Sequence, residues 1–305
     1  MTTNHKPPPA LQDTKISYWD GLHGNAEAFE ISEFFAMNSD TLIVVIAKDS
    51  ISEERIFNTL SFITPSETRA SVTRFPQWEI LPYDLFSPHQ DIISERLSTL
   101  NYLLSKRPGI LVMSVQTVMQ KVAPTDYIRG SSFTFSTGDH LQLDEQKLIL
   151  EGAGYQQTDI VSERGQYASR GSILDLFPMG GELPVRLDLF DDEIETIRSF
   201  DPGSQLTVEN LNQFAILPAK EFPFDEDAIK KFRGNWHNKF RGDARSCPIY
   251  QDVSNYITPN GIEFFLPLFF NETVTIFDYL EKSSKLIIQH GACEEASNFR
   301  SEVQS

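Results

Sequence analysis

Residues 87–115 read SPHQDIISERLSTLNYLLSKRPGILVMSV, and the two halves of this stretch decide the fold. Ser87 can cap a helix, Pro88 suits the first turn, and Gln90 stands three residues on, where it would close a capping box. Ile93, Leu97, Leu100 and Leu104 then recur at helical spacing. Residues 109–115 follow as a continuous apolar run, the pattern of a strand buried on both faces. Upstream, residues 42–47 form a second such run and residues 16–19 a shorter one, with a glycine-containing loop and a helix between them. Downstream, residues 114–122 can form a short helix. Strand, helix and strand in alternation predict an α/β fold with a doubly wound parallel sheet.

From 124 to 216 the character changes. This segment is β-rich and holds 16 Asp and Glu against 6 Lys and Arg, a local charge of −10. Residues 144–151 read as a helix stopped by Gly152, and residues 171–177, 184–190 and 193–200 as strands, the last two joined across Asp191-Asp192. After 217 helices return at 225–240 and 248–256, and residues 285–289 form a late apolar strand. The expectation is one α/β domain in two segments, 1–123 and 217–305, interrupted by an acidic α+β insertion at 124–216.

The 305 residues are 40% hydrophobic, enough for a sizeable core, with a net charge of −17. Such a charge repels a phosphate backbone and disfavours a nucleic-acid glove. Cys247 and Cys293 are too few for a zinc site or a disulfide framework and read as free thiols of a reducing compartment. No apolar signal region and no run of 18 apolar residues is present, so a cytoplasmic protein without a membrane partner is expected.

A phosphate-cradling loop GxxxxGK[ST] needs glycines for close approach, a lysine for the phosphate charge and a hydroxyl for magnesium. Residues 21–28 read GLHGNAEA. Gly21 holds the first glycine position and Gly24 lies nearby, but Ala26, Glu27 and Ala28 stand where glycine, lysine and hydroxyl belong. The bland reading is a glycine turn into a helix. Six scattered histidines form no HExxH and no triad, and the Asp191-Asp192-Glu193 run reads as a solvated hairpin tip, so no catalytic residue and no metal ligand is assigned. Along residues 185–190, Val185, Leu187 and Leu189 share one face, and Arg186, Asp188 and Phe190 the other. Arginine beside an exposed aromatic is the composition of an interface hot spot. Equally, Arg186 could pair with Asp188 or a cross-strand acid while Phe190 caps a small second core. Arg170 is another of the few cations in this acidic segment.

Residues 78–100 (WEILPYDLFSPHQDIISERLSTL), 168–193 (ASRGSILDLFPMGGELPVRLDLFDDE) and 217–223 (LPAKEFP) resemble the N-terminal, UvrB-homologous region of the bacterial transcription-repair coupling factors, the Mfd family. The likeness covers nearly the whole chain. It implies a degenerate RecA-like, P-loop-NTPase-like parallel-sheet domain 1 built from 1–123 and 217–305, the last segment truncated. Residues 124–216 become domain 2, the docking surface for UvrA, with Arg170, Arg186 and Phe190 at the matching positions. It also implies that Gly21, Gly24, Ala26, Glu27 and Ala28 are a lost phosphate loop, and that His290 and Gly291 stand where an acidic nucleotide motif would follow the last strand. The aromatic DNA-damage hairpin of UvrB falls near residues 81–96, which look too short to hold one. The family's motor, with ATP and magnesium, and its contacts with RNA polymerase and duplex DNA lie in regions absent here, so no cofactor is expected for this chain. A rival reading is a UvrB-like ATP-dependent DNA-remodelling enzyme with a divergent nucleotide site; a third is direct DNA binding, which requires a steep salt dependence.

Overall fold

The computed structural model describes residues 17–64, 71–80 and 86–304. Twelve strands occur among them in chain order: β1 Leu42–Ala47, β2 Ser71–Arg74, β3 Gly109–Ser114, β4 Phe133–Ser136, β5 Gln156–Gln157, β6 Gln166–Arg170, β7 Ile173–Leu176, β8 Val185–Phe190, β9 Glu193–Phe200, β10 Thr207–Leu211, β11 Gln213–Ile216 and β12 Lys285–Ile288. The chain forms two compact units, one of residues 1–77, 105–120 and 280–305, the other of residues 78–104 and 121–279. These boundaries differ from 123 and 216, because residues 78–104 and 217–279 group with the inserted segment.

The first unit is α/β. Its sheet runs β12-β1-β3-β2, with every pair parallel. Continuous apolar runs in β1 and β3 are buried along their length, as a sheet covered on both faces demands. Ile43, Val45, Ala47, Ile110 and Val112 pack against Ala28, Ile31, Phe34 and Phe35 of the helix Ala26–Ala36 and against Ile56 and Leu60 of the helix Ser50–Ile63. Asp49 caps the second helix, accepting the Ser52 N–H at 2.7 Å. Of the expected strand at 16–19, residue 16 lies outside the described residues, and Ser17–Trp19 form no strand. Trp19 instead meets Phe34 edge-on, with ring centroids 5.4 Å apart.

The second unit carries a six-stranded sheet, β10-β9-β8-β7-β6-β5, and a two-stranded sheet, β11-β4. β6 to β10 form an antiparallel meander, whereas the short β5 pairs parallel to β6. One face is apolar and buried through Leu174, Leu176, Val185, Leu187, Leu189 and Ile197. The helix at 87–104 departs from expectation twice. It begins at Gln90, and Ser87 does not cap it, because the Ser87 hydroxyl donates to Glu263 at 2.9 Å and accepts the Gly261 N–H at 3.1 Å. It also groups with the second unit and not with the unit that carries the parallel sheet. Its Arg96, fully buried, forks onto Glu221, with Nε to Oε1 at 2.6 Å and Nη2 to Oε2 at 3.2 Å. The Trp78 indole donates to the same Oε1 at 3.0 Å, and the guanidinium lies 5.0 Å from the Trp78 ring centre.

Candidate functional site

Arg170, Arg186 and Phe190 share one face of the six-stranded sheet. Arg170 pairs with Ile173 and Ile173 with Asp188, while Asp175, Arg186 and Arg198 form one row across β7, β8 and β9. Residues directly opposite in a ladder point to the same side, so the row joins Arg186 to Arg198, and Phe190 follows Asp188 on that side of β8.

The three side chains are held differently. Arg186 closes a two-pronged pair on Asp175, Nε to Oδ1 at 2.7 Å and Nη2 to Oδ2 at 2.8 Å. Its guanidinium also lies 4.7 Å from the ring centre of Phe200. The hydrogen bonds to Asp175 lead in raising its pKa, so it stays charged. Phe200 is fully buried in a small cluster with Val161, Ala168 and Phe177. A second core therefore exists under this face, and Arg186 pairs across strands above it, as the bland alternative required. Phe190 takes no part in it and is 71% exposed. Arg170, at the end of β6, is exposed and donates to the Asp159 carbonyl.

Arg198 was not singled out in the sequence, for a geometric reason. A regular two-residue connection at Asp191-Asp192 would put Ile197 across from Arg186. The observed register shifts by one between Asp188 and Leu189, so Arg198 takes that place and Phe200 comes to the same face. Arg198 reaches Asp188 through Nη2, and the Thr196 hydroxyl donates to the same Asp188 oxygen at 2.8 Å.

In the first unit, Gly21 and Gly24 adopt φ of +78° and +61°, which glycine accepts without strain. The loop leads into the helix Ala26–Ala36, where Ala26 is exposed at the first turn and Ala28 is fully buried in the core. Glu27 Oε2 accepts from Arg55 Nη2 and from Gln289 Nε2, both at 3.0 Å. Arg55 Nη1 donates to the Gly24 carbonyl at 2.5 Å, and the Lys48 N–H donates to Gln289 Oε1 at 2.9 Å. The fold thus brings the loop at 21–28 beside the end of β12, where His290 and Gly291 follow Gln289. Gly291 has φ +87°, and a Cβ there would stand 3.8 Å from Lys48 Cδ. Among the described residues no group of three or more His, Cys, Asp or Glu could hold a metal ion, and no helix is long and apolar enough to cross a membrane. Part of the segment expected to be too short for an aromatic hairpin, residues 81–85, lies outside the described residues.

Residues 133–222 match the UvrB interaction domain family. The chain is also similar to curated transcription-repair-coupling factors. It is 43% identical to that of Haemophilus influenzae over 264 residues, 86% of this chain and 22% of the relative. For the Escherichia coli K12 protein the identity is 44% over 246 residues, 80% of this chain and 21% of the relative, and for the Myxococcus xanthus protein 32% over 249 residues, 78% and 21%. The chain therefore spans about a fifth of the length of these relatives.

Proposed function

We propose, from the premise that this chain carries a UvrB interaction domain and is homologous to about a fifth of the transcription-repair-coupling factors, that it is the UvrA-recruiting part of such a factor. Domain 2 docks UvrA, with Phe190 as apolar anchor and Arg170 and Arg186 around it. The observation that carries this reading is the 71% exposure of Phe190 at the hairpin end of β8, on the face that also carries Arg170 and Arg186. Aromatic and arginine side chains are enriched in interface cores, where a few such residues carry most of the binding energy. Titration of UvrA into the 305-residue chain by calorimetry tests it: Phe190→Ala should weaken binding by at least about 10-fold with the fold intact. Undiminished affinity overturns the assignment.

Domain 1 is then a scaffold related to RecA-like motors that has lost its nucleotide site. A magnesium nucleotide does not fit the residues at hand, because a carboxylate occupies the lysine position and is already paired with Arg55 and Gln289. A triphosphate would have to displace that pair and meet Glu27. Magnesium-dependent, micromolar binding of a fluorescent ATP analogue would instead support a UvrB-like enzyme. ATP-driven translocation on duplex DNA and contact with RNA polymerase, in the cytoplasm, are proposed for the longer parent and not for these residues.

A further inference from the structure

Three of the six cations in the acidic segment 124–216, Arg170, Arg186 and Arg198, stand on one face of one sheet. Their state of commitment differs. Arg186 has one edge of its fork closed on Asp175 and its flat face on Phe200. Arg198 touches a single carboxylate, Asp188, through one terminal nitrogen, and that oxygen is shared with the Thr196 hydroxyl. Its Nε is buried and has no partner among the described residues, while 34% of the side chain remains exposed. An unmade buried donor is destabilising, and an arginine is built to satisfy such donors in pairs on one planar carboxylate. A guanidinium with unspent donors, directly opposite Arg186 and beside Asp188, which precedes exposed Phe190 on the same face, has the features of an incomplete interface.

We infer that Arg198 is a docking residue of this face and takes a carboxylate of the partner, an Asp or Glu side chain set next to the pocket that receives Phe190. An acidic group is the occupant because the unmade donor is a guanidinium N–H, which a planar carboxylate satisfies best, and three of the segment's six cations gather on this face. On docking, Arg198 swings its fork onto the incoming carboxylate, and Thr196 keeps Asp188 partnered. This rests on the proposed docking of UvrA and assigns a contact that the motif residues Arg170, Arg186 and Phe190 do not include.

The test compares Arg198→Gln and Arg198→Lys with Phe190→Ala in calorimetric titrations of the 305-residue chain with UvrA, each checked by thermal melting. Arg198→Gln should weaken binding by about 10-fold or more, and Arg198→Lys by several-fold, because an ammonium lacks the planar fork. Both should melt with the unmodified chain. If both bind like the unmodified chain while Phe190→Ala is weakened, the inference fails and the docking assignment stands. Full rescue by lysine, or a drop in melting temperature that accounts for the lost binding, also overturns it. An unmodified chain that does not bind UvrA removes both.

Discussion

Arg186 shows how a single residue can be read correctly as to face and incompletely as to duty. Its side chain is 23% exposed and that of its partner Asp175 only 8%. Removing the arginine leaves a nearly buried carboxylate uncompensated, which costs about 3–5 kcal/mol in comparable pairs. Arg186→Ala is therefore expected to lower the urea midpoint markedly, and any loss of partner binding must be corrected for unfolded chain. Arg186→Leu combined with Asp175→Leu should recover most of that stability, since an apolar pair of similar volume is often neutral or better. Equal destabilisation by the single and double variants would show that stacking on Phe200, and not the charge pair, is what matters. Phe190 lies at the opposite extreme: as an exposed side chain, its truncation should shift stability by no more than about 0.5 kcal/mol. Stability and binding are thus expected to separate at Phe190 and to coincide at Arg186.

Among elements, the helix Gln90–Leu104 and the segment 217–223 are tied by a polar network sealed inside the second unit. Arg96 and Glu221 have 0% and 1% of their side chains exposed, and Trp78 completes the acceptor. Two of the long stretches that carry the family resemblance, 78–100 and 217–223, thereby supply one internal network, and these three residues need no ligand to explain them. Glu221→Ala should cost about 3–5 kcal/mol by chemical denaturation, because Arg96 has no route to water; a loss under about 1 kcal/mol would contradict the burial. The neighbouring Lys220 is held by burial at about 8, against an ordinary 10.5, with Glu263 pulling weakly the other way. Its ammonium bonds Thr258 Oγ1 at 2.7 Å and lies 4.6 Å from the Phe224 ring centre. Between these two values the unfolded chain holds the proton that the folded chain has released. Stability should consequently rise with pH from about 8 to 10.5, by at most about 1.4 kcal/mol per unit. Lys220→Met should lack this component, read as the difference between the two stability–pH curves; parallel curves would sink the assignment.

For the whole molecule, charge is the governing quantity. At −17 the chain should show no salt-dependent affinity for duplex DNA, and an affinity falling steeply between 50 and 200 mM salt would revive the DNA-binding reading. Composition and periodicity were enough to yield the α/β character, the strands at 42–47 and 109–115, the second ending one residue earlier in the structure, the β-rich acidic segment and the face shared by Arg186 and Phe190, since all of these depend on local spacing and charge. Only the tertiary structure decided the rest. A one-residue bulge, invisible to periodicity, set Arg198 against Arg186 and turned Phe200 inward. Burial of Arg96 drew the helix at 90–104 into the second unit, where a sequence pattern had placed it beside the first. Gln289 met Glu27 across 262 positions of chain. Each of these hinges on contacts between segments far apart in sequence, and such contacts follow from closure of the whole chain, which local pattern does not specify.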